Sequence, residues 1–133
     1  MEYLIKYLAI LIPLGLIDLV WLSLTSKSFY GKNIGHLMAE KADLVPAVVF
    51  YLLYSLGILV LVVSPSLGNG SGLFKVFVLG ALLGFVAYAT YDLTNQATLK
   101  NWPLVVTVVD LVWGSILSGS VSVFAVWVLK IWR

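Results

Sequence analysis

Long apolar runs dominate the chain and are separated by short polar or glycine- and proline-containing stretches. A helix needs about 20 apolar residues to cross a hydrocarbon layer roughly 30 Å thick. Four segments meet that requirement, at about residues 3–24, 44–63, 73–97 and 103–131. The runs lack the alternation that is typical of a transmembrane β-barrel. The pattern therefore predicts an all-α, integral membrane four-helix bundle that forms a single domain over residues 1–133.

The stretches between these helices carry residues that favour turns. Residues 64–72, SPSLGNGSG, separate the second helix from the third, and Pro103 stands in the first turn of the fourth. Residues 25–43 are predicted to form one long loop. An even number of spans places both termini on the same side of the membrane. Basic residues divide evenly between the two sides, so the positive-inside rule does not fix the orientation.

The composition strengthens the membrane assignment and excludes several other classes. Hydrophobic residues make up 62% of the chain and charged residues 11%, with a mean hydropathy of +1.06, whereas average chains carry about 25% charged residues. Membrane lipids are the expected surroundings. A net charge of +2 with scattered basic residues excludes a nucleic-acid partner. The chain has no cysteine and a single histidine, so no zinc, haem or other cofactor is expected.

Three aspartates, Asp18, Asp92 and Asp110, interrupt the first, third and fourth apolar runs. Because the fourth helix runs antiparallel to the other two, all three fall in one half of the bilayer, roughly 7–11 Å below the surface. An ionised carboxylate in hydrocarbon costs at least ~2.5–3.5 kcal/mol, and no lysine or arginine lies at this depth. Protonation, hydrogen bonds, water or a bound cation remain as ways to stabilise them. A divalent cation would require all three carboxylates to converge.

The surroundings of these aspartates supply candidate site residues. The tetrapeptide Asp-Leu-Val-Trp occurs at residues 18–21 and again at 110–113, and its spacing puts each Asp and Trp on one helix face. The three aspartates are candidate acid/base groups or polar anchors. The candidate substrate-binding residues are the nearby aromatic and polar side chains Tyr88, Tyr91, Thr94, Asn95, Trp21, Trp113 and Tyr54. The alternative is that the aspartates only hold helices together through hydrogen bonds.

One further pattern concerns packing. Gly80 and Gly84 are separated by three residues in the third apolar run, which predicts a close contact with another helix.

Several motifs together resemble one protein family. They are Asp18 with Trp21, Phe29-Tyr30, Gly35-x-Leu-Met38, Phe50-Tyr51 with Tyr54 and Gly57, the run YATYDLTN at residues 88–95, Ala97-Thr-Leu99, Trp102-Pro103, and Asp110 with Trp113-Gly114. This combination is similar to a family of small predicted bacterial membrane proteins catalogued as a domain of unknown function, number two-one-seven-seven. The resemblance covers nearly the whole chain, with Ser23 as a departure where relatives often have glycine. It implies a four-helix protein of the bacterial inner (cytoplasmic) membrane, and it implies no activity.

Three functions are compatible with these features. The first is an acidic, aromatic-lined pocket in one leaflet that binds or acts on an amphipathic or lipid-like small molecule. The second is a small proton- or cation-coupled transporter that works as a homodimer, although the aspartates lie nearer one surface than such sites usually do. The third is an assembly partner for another membrane protein, without a ligand site. The sequence does not decide whether the protein is an enzyme.

Overall fold

A computed structural model describes all 133 residues, which form helices joined by short turns, without any β-strand. Four helical spans are long and apolar enough to cross a membrane. They are α1 (Glu2–Leu37), α2 (Leu44–Gly68), α3 (Leu73–Thr98) and α4 (Leu104–Ile131). The all-α, four-helix prediction is therefore confirmed, and it followed from the length and continuity of the apolar runs.

The predicted long loop over residues 25–43 is wrong for most of its length. The first helix continues through a π-helical turn at Ser26–Tyr30 and through further helical turns over residues 31–37. Polar residues suggested a loop here, but the hydroxyl groups of Thr25 and Ser28 each donate to the carbonyl oxygen four residues earlier, at 2.7 Å. Because these bonds satisfy the hydroxyls within the helix, the polar stretch remains helical. Only a short connector is left before α2.

The second helix also extends beyond its predicted end, because proline is tolerated in the first turn of the segment Ser64–Gly68. It ends in a Schellman motif. The backbone N–H of Ser71 donates to the carbonyl oxygen of Ser66 at 2.9 Å, and that of Gly70 donates to Leu67 at 3.4 Å. Gly70 has a φ of 62°, a conformation that glycine adopts without steric cost.

The contact between α3 and α4 is close enough to depend on glycine. A Cβ atom on Gly84 would lie 2.0 Å from the carbonyl oxygen of Gly114, and one on Gly80 would lie 2.7 Å from that of Ser118. On the other side, the ring of Tyr88 packs directly over Gly114. The predicted close helix contact at Gly80 and Gly84 is confirmed, and its partner is α4.

Helix α4 is the most enclosed helix of the bundle. It packs against both α3 and α1, and α1 also packs against α2. The largest group of buried apolar side chains lies away from the aspartates, in the part of the bundle nearer the two termini. It includes Ile10, Leu14, Ile58, Val62, Val76, Leu117, Val121, Ala125 and Leu129. This apolar core fixes how the aspartate-bearing segments of α1, α3 and α4 face one another.

Candidate functional site

Asp18 of α1 is held by side chains from two other helices. The indole N–H of Trp113 on α4 donates to Asp18 Oδ1 at 3.1 Å. The hydroxyl group of Tyr51 on α2 donates to Asp18 Oδ2 in a short hydrogen bond. The Asp18 side chain is buried, so both carboxylate oxygens depend on these donors.

Asp110 of α4 is held by the extension of α1 that the sequence did not predict as helix. The hydroxyl group of Tyr30 donates to Asp110 Oδ1 at 2.5 Å. The same hydroxyl oxygen accepts from the indole N–H of Trp21 at 3.2 Å. Tyr30 is the last residue of the π-helical turn Ser26–Tyr30. Thr25, the residue before this turn, departs from ideal helical dihedral angles with a φ of −117°. π-helical turns are frequent at functional sites.

The two Asp-Leu-Val-Trp tetrapeptides face each other across the antiparallel pair α1 and α4. Trp113 bonds to Asp18 directly, and Trp21 connects to Asp110 through the hydroxyl group of Tyr30. Between them, the Trp21 and Trp113 rings stack with centroids 4.2 Å apart and planes 9° from parallel. The repeat seen in the sequence is thus a reciprocal contact, in which each aspartate is paired with the tryptophan of the other helix.

A small cleft opens beside this contact, with a volume of about 190 Å³. Its walls are acidic and aromatic side chains and one leucine from α1, α3 and α4, namely Asp18, Trp21, Leu22, Tyr30, Tyr88, Tyr91, Asp110 and Trp113.

Two apolar grooves adjoin the stacked tryptophans. One, of about 410 Å³, runs along α1 and is lined by Leu16, Ile17, Val20, Trp21, Leu24 and Trp113. The other, of about 220 Å³, runs along α4 and is lined by Trp21, Val108, Val109, Val112, Trp113 and Ile116. Trp21 and Trp113 belong to both grooves and to the acidic cleft, so the polar and apolar surfaces are continuous.

Asp92 of α3 lies beside the cleft and not in its wall. Its side chain is 0% exposed, and neither carboxylate oxygen has a hydrogen-bond partner. The carboxyl group of Asp110 on α4 lies within hydrogen-bonding reach, so the pair can form a hydrogen bond only when one of the two carboxyl groups is protonated. Two ionised carboxylates both accept hydrogen bonds and neither donates, so Asp110 does not satisfy Asp92 in that state.

The other predicted binding residues divide into two groups. Tyr88 and Tyr91 line the cleft. Tyr54 points away from the cleft and into the core, where its hydroxyl group forms a hydrogen bond with Ser118 Oγ at 2.5 Å. Thr94 and Asn95 do not line the cleft either. Thr94 is two residues from Asp92 and so lies on another helix face, where its hydroxyl group bonds to its own helix.

Two tyrosines that hold the aspartates were not among the predicted site residues. The predicted loop 25–43 contains Tyr30, and the predicted binding residues of the second helix include Tyr54 but not Tyr51. The available signal is the family resemblance, whose motifs include both Phe29-Tyr30 and Phe50-Tyr51. Spacing alone could not have found Tyr30, because an extended loop would not bring it back to Trp21.

The electrostatic balance of this region is negative. The only ion pair in the structure joins Lys6 and Glu2, at 2.7 Å, so no basic side chain pairs with Asp18, Asp92 or Asp110. No group of three or more histidine, aspartate or glutamate side chains is arranged to hold a metal ion. The condition for a divalent site, convergence of all three carboxylates, is therefore not met.

The four apolar spans define the class of the molecule, a multi-pass integral membrane protein whose outer surface contacts lipid. The family described as "Predicted membrane protein (DUF2177)" matches residues 3–127. The chain belongs to that family, which agrees with the resemblance of its motifs. No curated protein and no solved structure shows significant similarity to it.

Proposed function

We propose that the protein binds an amphipathic small molecule with a cationic head group, with the head in the acidic cleft and the tail along the stacked tryptophans. One observation carries the proposal. The cleft that contains Asp18 and Asp110 shares Trp21 and Trp113 with two grooves that are entirely apolar. On this surface the same two tryptophans adjoin both the carboxylates and the apolar grooves. It therefore matches a molecule that is polar at one end and apolar at the other.

The charge of the head group follows from the surroundings of the aspartates. Asp18 and Asp110 have no basic partner, so a cation entering the cleft would gain attraction without displacing an existing ion pair. The remaining walls are aromatic, and a cation over a tryptophan or tyrosine ring gains about 0.5–2 kcal/mol. An anionic head group would meet like charge.

The roles of the residues in this proposal follow from their contacts. Asp18 and Asp110 anchor the head group electrostatically, and their tyrosine and tryptophan donors hold the carboxylates in position. We assign them an anchoring role and not an acid/base role, because the donors already fix both carboxylates. Tyr88 and Tyr91, which line the cleft from α3, orient the bound molecule.

The location in the membrane is part of the same proposal. We place the three aspartates inside the hydrocarbon layer of the bacterial inner (cytoplasmic) membrane, where the tail would enter the grooves from the surrounding lipid. The support is that each aspartate lies within a helix long and apolar enough to span, together with the bacterial membrane family that the motifs resemble.

Native mass spectrometry of protein released gently from membranes tests this proposal. Wild type is compared with Asp18→Asn, which keeps the volume of the side chain and an acceptor for Trp113 but removes the charge. Glu40→Gln is the matched control, because Glu40 is exposed and lies outside the helices. To avoid dependence on a natural ligand, each protein is also incubated with dodecyltrimethylammonium as a cationic amphiphile.

The expected result is a bound adduct on wild type and Glu40→Gln that is lost or strongly reduced on Asp18→Asn. Equal retention of the cationic amphiphile by all three proteins would contradict the proposal. If Asp18→Asn fails to fold, Tyr88→Phe provides a second test, because it removes only a hydroxyl group from the cleft wall.

One observation favours a second candidate, a cation-coupled transporter that works as a homodimer. The wholly buried, unpaired carboxylate of Asp92 is a group that a transported or coupling cation could neutralise. Flux of a quaternary ammonium ion into proteoliposomes, compared between wild type and Asp92→Asn, separates this candidate from a protein that only binds.

A further inference from the structure

Three buried oxygen atoms on one face of α3 lack hydrogen-bond partners. They are both carboxylate oxygens of Asp92 and the side-chain carbonyl oxygen Oε1 of Gln96. The two residues are four apart in a helix, which places their side chains next to each other on the same face. A buried acceptor without a donor destabilises the folded state, and a charged one does so more strongly. Two such residues together indicate that something outside the chain stabilises them.

The neighbouring elements supply no donor to Asp92 when Asp92 and Asp110 are both ionised. The carboxyl group of Asp110 on α4 lies within hydrogen-bonding reach of Asp92, but an ionised Asp110 only accepts and adds negative charge. From the extension of α1, Tyr30 is near, but its hydroxyl hydrogen is used on Asp110. The indole N–H of Trp102 is also taken, since it donates to Thr107 Oγ1 at 3.1 Å.

No basic side chain forms an ion pair with Asp92 or Asp110 either. The only ion pair of the chain is Lys6 with Glu2, and both belong to the first turn and a half of α1, far along the chain from Asp92. The groups that face Asp92 are therefore one carboxyl group and two phenols, those of Tyr30 and Tyr91. A ligand that suits this site is positively charged and is coordinated by oxygen atoms.

The types of oxygen narrow the ligand class. Carboxylate and amide carbonyl oxygens favour hard cations over soft transition metals, which prefer sulfur and imidazole. Calcium needs six to eight oxygens and magnesium near-octahedral geometry, and no cluster of three acidic or imidazole side chains is present. A monovalent cation requires less ligand charge than a divalent one, and membrane transporters coordinate sodium with carbonyl oxygens.

We propose that Asp92, Gln96 and Asp110 form a binding site for one hard monovalent cation, sodium being the ion it fits best. The cation neutralises the buried charge of Asp92 and is held by the Gln96 carbonyl oxygen and by Asp110 from the facing helix. By bridging α3 and α4, it stabilises the folded bundle. The site is separate from the acidic cleft, with which it shares only Asp110, and it does not depend on the amphipathic ligand.

The test is the thermal unfolding midpoint of the protein in a neutral maltoside detergent, followed by tryptophan fluorescence. Sodium chloride is titrated against choline chloride at constant ionic strength and constant pH, without any added amphiphile. A ligand that binds only the folded state raises the midpoint in a saturable way. Potassium chloride in place of sodium chloride reports the selectivity.

The proposal predicts a saturable rise of the wild-type midpoint with sodium and a smaller one with potassium. Asp92→Asn loses the sodium response and, without sodium, unfolds at or above the wild-type midpoint, because its amide group donates hydrogen bonds and carries no charge. Gln96→Met retains the response with a half-saturating sodium concentration raised roughly tenfold, as expected for one lost ligand. Glu40→Gln and Asp18→Asn keep the full wild-type response.

Two results would overturn the proposal. One is a wild-type midpoint that is the same in sodium, potassium and choline. The other is a midpoint that changes with pH, depends on Asp92 and is indifferent to sodium, which would mean that a proton occupies the site. Because no amphiphile is present and Asp18→Asn serves as a control, failure here is distinct from failure of the proposed ligand cleft.

Discussion

Trp113 donates its indole N–H to Asp18 Oδ1 at 3.1 Å while its ring stacks on Trp21, 4.2 Å away. One side chain therefore makes a polar contact on its edge and an apolar contact on its face, both to the same neighbouring helix. This arrangement explains why a carboxylate is tolerated in the apolar run of α1: its charge is met by donors from α4 and α2. It also places the carboxylate at the boundary of two apolar grooves.

Replacing Trp113 by phenylalanine should destabilise the protein by removing this donor. The ring remains, but Asp18 keeps only the bond from Tyr51, and we expect the free energy of unfolding to fall by about 1–3 kcal/mol. The measurement is reversible unfolding in mixed micelles, followed by circular dichroism. Trp132→Phe is the control, because Trp132 is 76% exposed, and its change should stay within about 0.5 kcal/mol. Equal losses in the two variants would show that the bond to Asp18 contributes nothing.

Tyr30 should be coupled energetically to Asp110, although the two are far apart in the sequence. A double-mutant cycle with Tyr30→Phe, Asp110→Asn and the combined variant measures that coupling by the same unfolding assay. The 2.5 Å hydrogen bond between them predicts a coupling energy of about 1–3 kcal/mol. Additive effects would mean that the extension of α1 does not hold Tyr30 against α4.

Because α3 and α4 approach closely at Gly84, replacing Gly84 by alanine should destabilise the protein, whereas replacing Gly57 should not. In Gly84→Ala the new methyl group would meet the carbonyl oxygen of Gly114 at 2.0 Å, so the helices must separate. We expect a loss of about 1–3 kcal/mol or more in the free energy of unfolding. Gly57→Ala is the matched control in α2, where nothing lies within 4 Å of the added Cβ. That variant should be neutral or slightly stabilising, since alanine favours helix over glycine. The reverse order of stabilities would contradict the observed helix contact.

The sequence predicts the helices well because the physical requirement is simple. A span of hydrocarbon demands a continuous apolar run, and each of the four runs corresponds to a helix of the structure. The antiparallel order also led to the expectation that Asp18 and Asp110 lie at similar depth, and the structure places both in one cleft. Such reasoning needs only helix rise and direction.

Helix rise and direction alone do not predict which tyrosines contact the aspartates. Tyr30 reaches Asp110 only because polar residues 25–28 stay helical by bonding to their own carbonyl oxygens, which composition does not reveal. Tyr54 is one of the predicted binding residues, but its hydroxyl group bonds to Ser118 in the core. The rotation of each helix about its axis decides such cases, and that rotation is set by side-chain packing across the whole bundle.

The topology predicts which connectors share a side of the membrane. Because the chain has no cysteine, single cysteines at Glu40, Asn101 and Asn69 can be labelled one at a time in intact cells by a membrane-impermeant maleimide. Four spans require Glu40→Cys and Asn101→Cys to behave alike and Asn69→Cys to behave oppositely. The same pattern of labelling at all three positions would refute the four-span topology.

The central claim, that the tryptophan pair and the two aspartates form the site of a cationic amphiphile, is tested most directly by fluorescence quenching. A quaternary ammonium amphiphile with a brominated chain is titrated into protein in which Trp102, Trp127 and Trp132 are replaced by phenylalanine, leaving Trp21 and Trp113 as reporters. We predict saturable quenching that is lost in Asp18→Asn and is not produced by a brominated amphiphile with a neutral head group. Quenching that is linear, or equal for both head groups, would contradict the account.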